Sequence, residues 1–170
     1  KVFSYDTEGR ENVQKAVYRI RNHFVHFAFT YLYPAASRLA FADAETFYEM
    51  DIAPTFDRFR SLSFKEVCRD YLMQEAAKGR LPFEVSDAGE WTGKAGDIDI
   101  ILQSESGETL LACCQCERTV FPYADYEWLL FLAGQAKLRT DHIWLFTDGK
   151  FDEELMAEAR KNESLTLILL

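Results

Sequence analysis

Positive charge is scarce in this chain: 19 lysines and arginines stand against 28 aspartates and glutamates, for a formal net charge of −9. A protein that grips duplex DNA unaided neutralises several phosphates with Lys and Arg. So acidic a chain is a poor stand-alone DNA binder, although a local basic patch could still serve within a larger protein. A Gly-rich phosphate loop of the Walker type is absent, which excludes ATP binding by that route. No apolar run reaches the length of a bilayer span and no signal-peptide pattern opens the chain, so no membrane partner is expected. Histidine is confined to His23, His26 and His142, with no further ligand at matching spacing; these read as surface or packing residues. The chain opens on Lys1 rather than Met, which fits either a piece of a longer protein or a chain with a disordered start.

Cysteine is sparse and badly spaced for disulfides. Cys68 stands alone, while Cys113, Cys114 and Cys116 crowd into one apolar run. Reduced thiols and a cytoplasmic setting are the expectation. Cys113 and Cys116 formally make a Cys-x-x-Cys pair, but on a strand residues three apart face opposite sides, and no second ligand pair exists for zinc. They read as buried, inert thiols.

What the chain does have is apolar and aromatic mass. Of its 170 residues 48% are hydrophobic and 15% aromatic, enough for one medium domain, or one with a small appendage, built on its own core. Residues 1–20 read as two extended runs flanking the turn-like stretch Glu8–Asn12. Residues 21–62 read as a helical segment. It begins at Asn22 as N-cap, with Phe24, Phe27, Ala28 and Tyr31 at helical spacing, stops at Pro34, and resumes over 35–42 and over 44–62 with a bend near Pro54. Ser63-Phe64-Lys65-Glu66 has the form of a capping box, predicting a new helix from Ser63 to about Lys78 with Gly79 as its stop.

Residues 63–170 then read helix, three strands, helix, strand, helix, strand. This is an α/β, three-layer domain with a mixed sheet between helices, carrying an N-terminal helical extension. In Gly96-Asp97-Ile98-Asp99-Ile100-Ile101, simple alternation puts Asp97 and Asp99 on one face and Ile98 and Ile100 on the other. Carboxylates on one strand of a hairpin, with a helical Glu66 nearby, are the kind of hard oxygen ligands that Mg²⁺ takes. Asp97, Asp99 and Glu66 are therefore the candidate metal ligands. The competing reading is that Glu66 only caps its helix and that the two aspartates make structural hydrogen bonds.

These segments together resemble the restriction-endonuclease-like, or PD-(D/E)XK, fold. More closely, they resemble the C-terminal domain of archaeal-type AAA ATPases that also occur in bacteria. The similarity runs from about residue 17 onward, through Tyr18-Arg19-Ile20-Arg21-Asn22, Phe64–Leu72, Gly96–Ile101, the strand around Cys113, Tyr126–Leu130 and Leu145–Phe151. It implies that residues 1–20 are a hairpin or linker remnant of a preceding winged-helix-like module. It implies that ATP and Mg²⁺ belong to an upstream ATPase domain, with no cofactor in this part. The partners implied are those upstream domains and either nucleic acid or another protein.

The same resemblance exposes a defect. The family strand carries Glu and Lys two residues apart, and this chain has Cys113 and Gln115 there. Glu66, Asp99, Cys113 and Gln115 are thus vestigial nuclease positions. The reading preferred is a non-catalytic nuclease-like interaction domain of a AAA-type ATPase. Two alternatives stand beside it. One is a Mg²⁺- or Mn²⁺-dependent nuclease with a migrated site, in which Lys94 or Arg118 replaces the missing cation. The other is a structural or oligomerisation module using the aromatic residues of 24–33.

Overall fold

The computed structural model describes residues 2–5, 11–17, 20 and 22–170. Two extended runs open the chain, β1 (Val2–Tyr5) and β2 (Glu11–Val17), paired antiparallel. Of the expected turn, Glu8–Arg10 lies outside the described residues, while Glu11 and Asn12 already belong to β2. Tyr18, Arg19 and Arg21 also lie outside them.

Asn22 starts the helical segment as its short polar side chain predicts: its Oδ1 accepts the Val25 N–H at 3.0 Å, and α1 (His23–Phe27) follows. The helix widens into a π-turn over Ala28–Leu32, closed by the Tyr33 N–H on the Ala28 carbonyl at 2.8 Å. Pro34, which has no N–H to give, ends it. A short α2 (Ala36–Leu39) and α3 (Ala44–Phe47) come next, the latter capped by Asp43, which accepts the Thr46 N–H at 3.0 Å. A second π-turn, Tyr48–Ile52, leads into α4 (Ala53–Ala77). Tyr31, Ala35, Phe47 and Ile52 form a small core here, against Phe56 and Phe59 of α4.

Helix α4 differs from the sequence expectation. It is one unbroken helix of 25 residues, with Pro54 in its first turn, where a missing N–H costs nothing. Ser63 is therefore not an N-cap and Glu66 not the third residue of a capping box; both lie inside the helix. A capping box needs a non-helical residue at its head, and nothing between Phe56 and Phe64 interrupts the helical ladder. The boundary expected between 62 and 63 falls within α4. The predicted stop is real: Gly79 takes φ +66°, its N–H donates to the Ala76 carbonyl and the Arg80 N–H to the Glu75 carbonyl, both at 2.9 Å. That is a Schellman closure, which favours glycine because a Cβ is strained at positive φ.

The remaining elements follow the predicted order: β3 (Asp87–Thr92), β4 (Asp97–Gln103), β5 (Thr109–Gln115), α5 (Tyr123–Ala136), β7 (His142–Thr147), α6 (Glu153–Ala159) and β9 (Leu165–Leu169). Two short strands escaped the sequence reading, β6 (Val120–Phe121) and β8 (Lys150–Phe151), which pair parallel in a two-stranded sheet. Two-residue strands carry too little periodicity to be read. The main sheet runs β2-β1-β3-β4-β5-β7-β9. Hairpin connections make β3–β4 and β4–β5 antiparallel, and helical crossovers make β5–β7 and β7–β9 parallel. The N-terminal β1 lies parallel to β3.

Three layers result. On one face α4 presents Cys68 and Leu72 to Ile100, Leu102, Leu110, Ala112 and Phe146. On the other, α5 and α6 bury Leu129, Leu132, Ala133 and Leu155 against Ile98, Ile101, Leu111 and Leu145. Each fully buried Leu or Ile contributes about 1.5–3 kcal/mol by leaving water. The chain is thus a mixed-sheet α/β sandwich with an N-terminal helical part, as expected.

Candidate functional site

The site is organised by a fault in the β-ladder. Gly89 pairs with Ile101 and Trp91 with Ile98, so two residues of β3 span three of β4. This β-bulge at Asp99-Ile100 breaks the simple alternation: Ile98 packs on the α5 side and Ile100 on the α4 side. The expectation that Ile98 and Ile100 share a face is corrected accordingly. The inserted residue leaves Asp99 outside the regular pairing with β5, which ends at Ile100 and Ala112. Its carboxylate takes over: Oδ2 accepts the Cys114 N–H at 2.8 Å. Both strands are thereby tied together where their backbones part.

The other oxygen of Asp99 is also occupied. Lys65, on the sheet-facing side of α4 with Cys68 and Leu72, places Nζ 2.5 Å from Oδ1. The pair is largely enclosed, with 31% of the Lys65 side chain and 10% of that of Asp99 exposed. Burial works against the ammonium, but the Asp99 carboxylate more than offsets it, through its charge and its hydrogen bond, and the lysine is held above its ordinary value. Next along α4, Arg69 lies 3.7 Å from Glu90 of β3. A cavity of about 160 Å³ opens here, bordered by Leu62, Lys65, Glu90, Asp97 and Asp99.

The remaining sequence candidates are spread around this pair. Asp97 is exposed at the strand end and borders a second cavity, of about 220 Å³, with Cys113, Arg118, Asp125 and Trp128. Burial pushes the Cys113 thiol well up, and the Asp99 and Asp125 carboxylates add to it. Cys114 points to the α4 side; burial, then a hydrogen bond with the Cys68 thiol, push it up as well. Cys116 is also raised by burial. These protonated thiols are poor nucleophiles and poor metal ligands. Gln115 is turned to β7, where its Oε1 accepts from the Thr147 hydroxyl at 3.2 Å, and its buried Nε2 has no hydrogen-bond partner. Glu66 is half-buried on α4 and does not border the cavity that Lys65 lines. The structure thus unites Asp97 and Asp99 around one cavity and brings Cys113 close to Asp99, but leaves Glu66 and Gln115 to other contacts.

A divalent ion fits this arrangement badly. Hard cations need several converging oxygens, yet both oxygens of Asp99 are committed. Among the described residues no three His, Cys, Asp or Glu side chains converge on a common point. Arg118, one of the two cations singled out in the sequence, pairs with Asp125 at 3.0 Å on the α5 side. Lys94 is exposed between β3 and β4.

Sequence reasoning missed Lys65, Arg69 and Glu90. The helical spacing Lys65, Cys68, Arg69, Leu72 was the available signal, since it puts all four on one face.

Among the described residues no helix is long and apolar enough to cross a membrane. No solved structure matches the chain. An uncharacterised protein of Methanocaldococcus jannaschii is similar over 98 residues, at 24% identity; the match covers 58% of this chain and 22% of that protein. The chain therefore spans about a fifth of the length of the curated relative it matches. A family model matches residues 28–119, from the first π-turn through α4 and the bulged hairpin to the residues after β5. That stretch is more than half of the chain, which belongs to the DUF234 family, archaeal and bacterial proteins of unknown function.

Proposed function

We propose that this chain is a non-catalytic, restriction-endonuclease-like interaction domain of a larger AAA-type ATPase, held in the cytoplasm, where its free thiols stay reduced. The observation that carries this reading is the closure of Asp99. One oxygen holds a lysine ammonium and the other a backbone N–H, and the neighbouring strand offers a protonated thiol and an amide where a metal-dependent phosphodiesterase needs a carboxylate and a cation. Such a site lacks the groups that metal-dependent cleavage needs. The length of the archaeal relative supports a parent protein with room for a motor domain.

Contact with another protein is the role its surface favours. Phe24 and Tyr33 are each 75% exposed and Phe41 is 93% exposed. Exposed apolar groups in this density on the helical segment mark protein contacts more often than nucleic-acid platforms, and the acidic charge of the chain points the same way.

The test is incubation with plasmid and linear DNA in Mg²⁺ or Mn²⁺. No cleavage is expected. Cleavage that disappears in both Asp99→Ala and Lys65→Met would overturn the proposal and make that pair the working centre of a migrated nuclease.

A further inference from the structure

Among the described residues the main sheet has two outer strands, and they differ. The pairing of β2 with β1 slips between Val2 and Ser4. Irregularities of this kind blunt a sheet edge against other chains. Strand β9 has none. Its sequence, Leu-Thr-Leu-Ile-Leu, holds no charge, proline or glycine, and it pairs with β7 without a slip from Leu165 to Leu169.

Which groups of β9 face outward follows from the ladder. In a parallel pair, alternate residues direct both main-chain polar groups to the same neighbour. The Ile143 N–H donates to the Ser164 carbonyl at 2.8 Å and the Leu170 N–H to the Thr147 carbonyl at 3.0 Å. Ser164, Thr166, Ile168 and Leu170 therefore face β7, and Leu165, Leu167 and Leu169 face the open side. The Leu165 N–H is taken by the Asn162 carbonyl at 3.0 Å. The outward N–H groups of Leu167 and Leu169 meet no other strand among the described residues.

We propose that β9 is where this chain pairs with a second copy of itself, antiparallel, about a two-fold axis at Leu167. The strand is close to its own mirror. Reversed, it sets Leu165 opposite Leu169, Leu167 opposite its equivalent and Thr166 opposite Ile168, with apolar or neutral side chains meeting throughout and no like charges opposed. The two Leu167 residues exchange both main-chain bonds, and each Leu169 N–H meets the Leu165 carbonyl of the second copy. Leu169 is 65% exposed and Leu170 40% exposed, and pairing covers both. A two-fold axis uses the edge once and closes, whereas an edge left open continues to template strands.

The experiment is sedimentation equilibrium of the chain from micromolar to near-millimolar concentration, with Leu169→Pro and Leu169→Lys as variants. Leu169→Pro deletes an outward N–H while sparing the bonds to β7; Leu169→Lys puts a charge on the edge. Because Leu169 is exposed, both keep the core, and unchanged circular dichroism checks this. The expected result is twice the chain mass for the wild type and the single mass for both variants. A wild type that stays monomeric throughout, or a dimer untouched by both changes, overturns the proposal; in the latter case Phe41→Ser tests the aromatic surface as the real interface.

Discussion

Lys65 and Asp99 show what a single contact can decide. An exposed ion pair contributes about 0–1 kcal/mol, because water screens it and two side chains lose freedom. Removing one partner of a buried pair costs about 3–5 kcal/mol, since the other charge is left without water or partner. The Lys65–Asp99 pair lies between these limits, enclosed more on the aspartate side. Lys65→Met is therefore expected to destabilise the chain by about 1–3 kcal/mol in urea denaturation. The pH dependence follows from the raised lysine: its stabilisation is complete below the ordinary value of 10.5 and is lost as pH rises through the higher folded-state value. The gap between wild type and Lys65→Met should hold steady from neutral to mildly alkaline pH and close only above that. No gap at neutral pH would mean that the contact does not stabilise the fold.

At the scale of the element, α4 and the β4 bulge matter most. Ser63 illustrates how a local motif is overridden. Its neighbours spell a capping box, but α4 has already begun ten residues earlier, at Ala53, and the buried Ser63 hydroxyl has no hydrogen-bond partner. As an N-cap, Ser63→Ala would cost about 1 kcal/mol. In mid-helix it replaces a serine with the best helix former and removes an unsatisfied hydroxyl. Thermal melts should show Ser63→Ala unchanged or slightly more stable, and a clear loss would restore the capping reading. The bulge works in the opposite direction. One extra residue in β4 turns Asp99 out of the ladder and into contact with both α4 and β5, something no alternation pattern can express.

For the whole molecule, charge and surface bear on the proposed contacts. With a net charge of −9, binding to duplex DNA at physiological salt is expected to be weaker than about 0.1 mM, the weak end of non-specific affinity. Fluorescence anisotropy with a labelled duplex measures this; a micromolar Kd with a steep salt dependence would show that a local basic patch outweighs the global charge. The exposed aromatic residues Phe24, Phe29, Tyr33 and Phe41 remain available for protein contact, while Tyr31, at the same helical spacing, is buried. The aromatic stripe therefore serves two ends: Tyr31 and Phe27 hold the helical segment to α4, and the others face outward.

Much of the architecture was legible in residue order alone. The Asn22 cap, the Gly79 stop, the β4–β5 hairpin through Ser104–Gly107 and the alternation of strands and helices after Thr109 all rest on local chemistry: a side-chain acceptor, a positive φ, a period of two or of 3.6. What only the tertiary structure decided was geometry between elements. Whether Lys65 or Glu66 faces the sheet depends on the phase of a helix that starts at Ala53, and whether Asp99 points to α4 depends on a bulge defined by pairing with β3. Both are set by how separate segments dock. A neighbour's register leaves no mark within the segment itself.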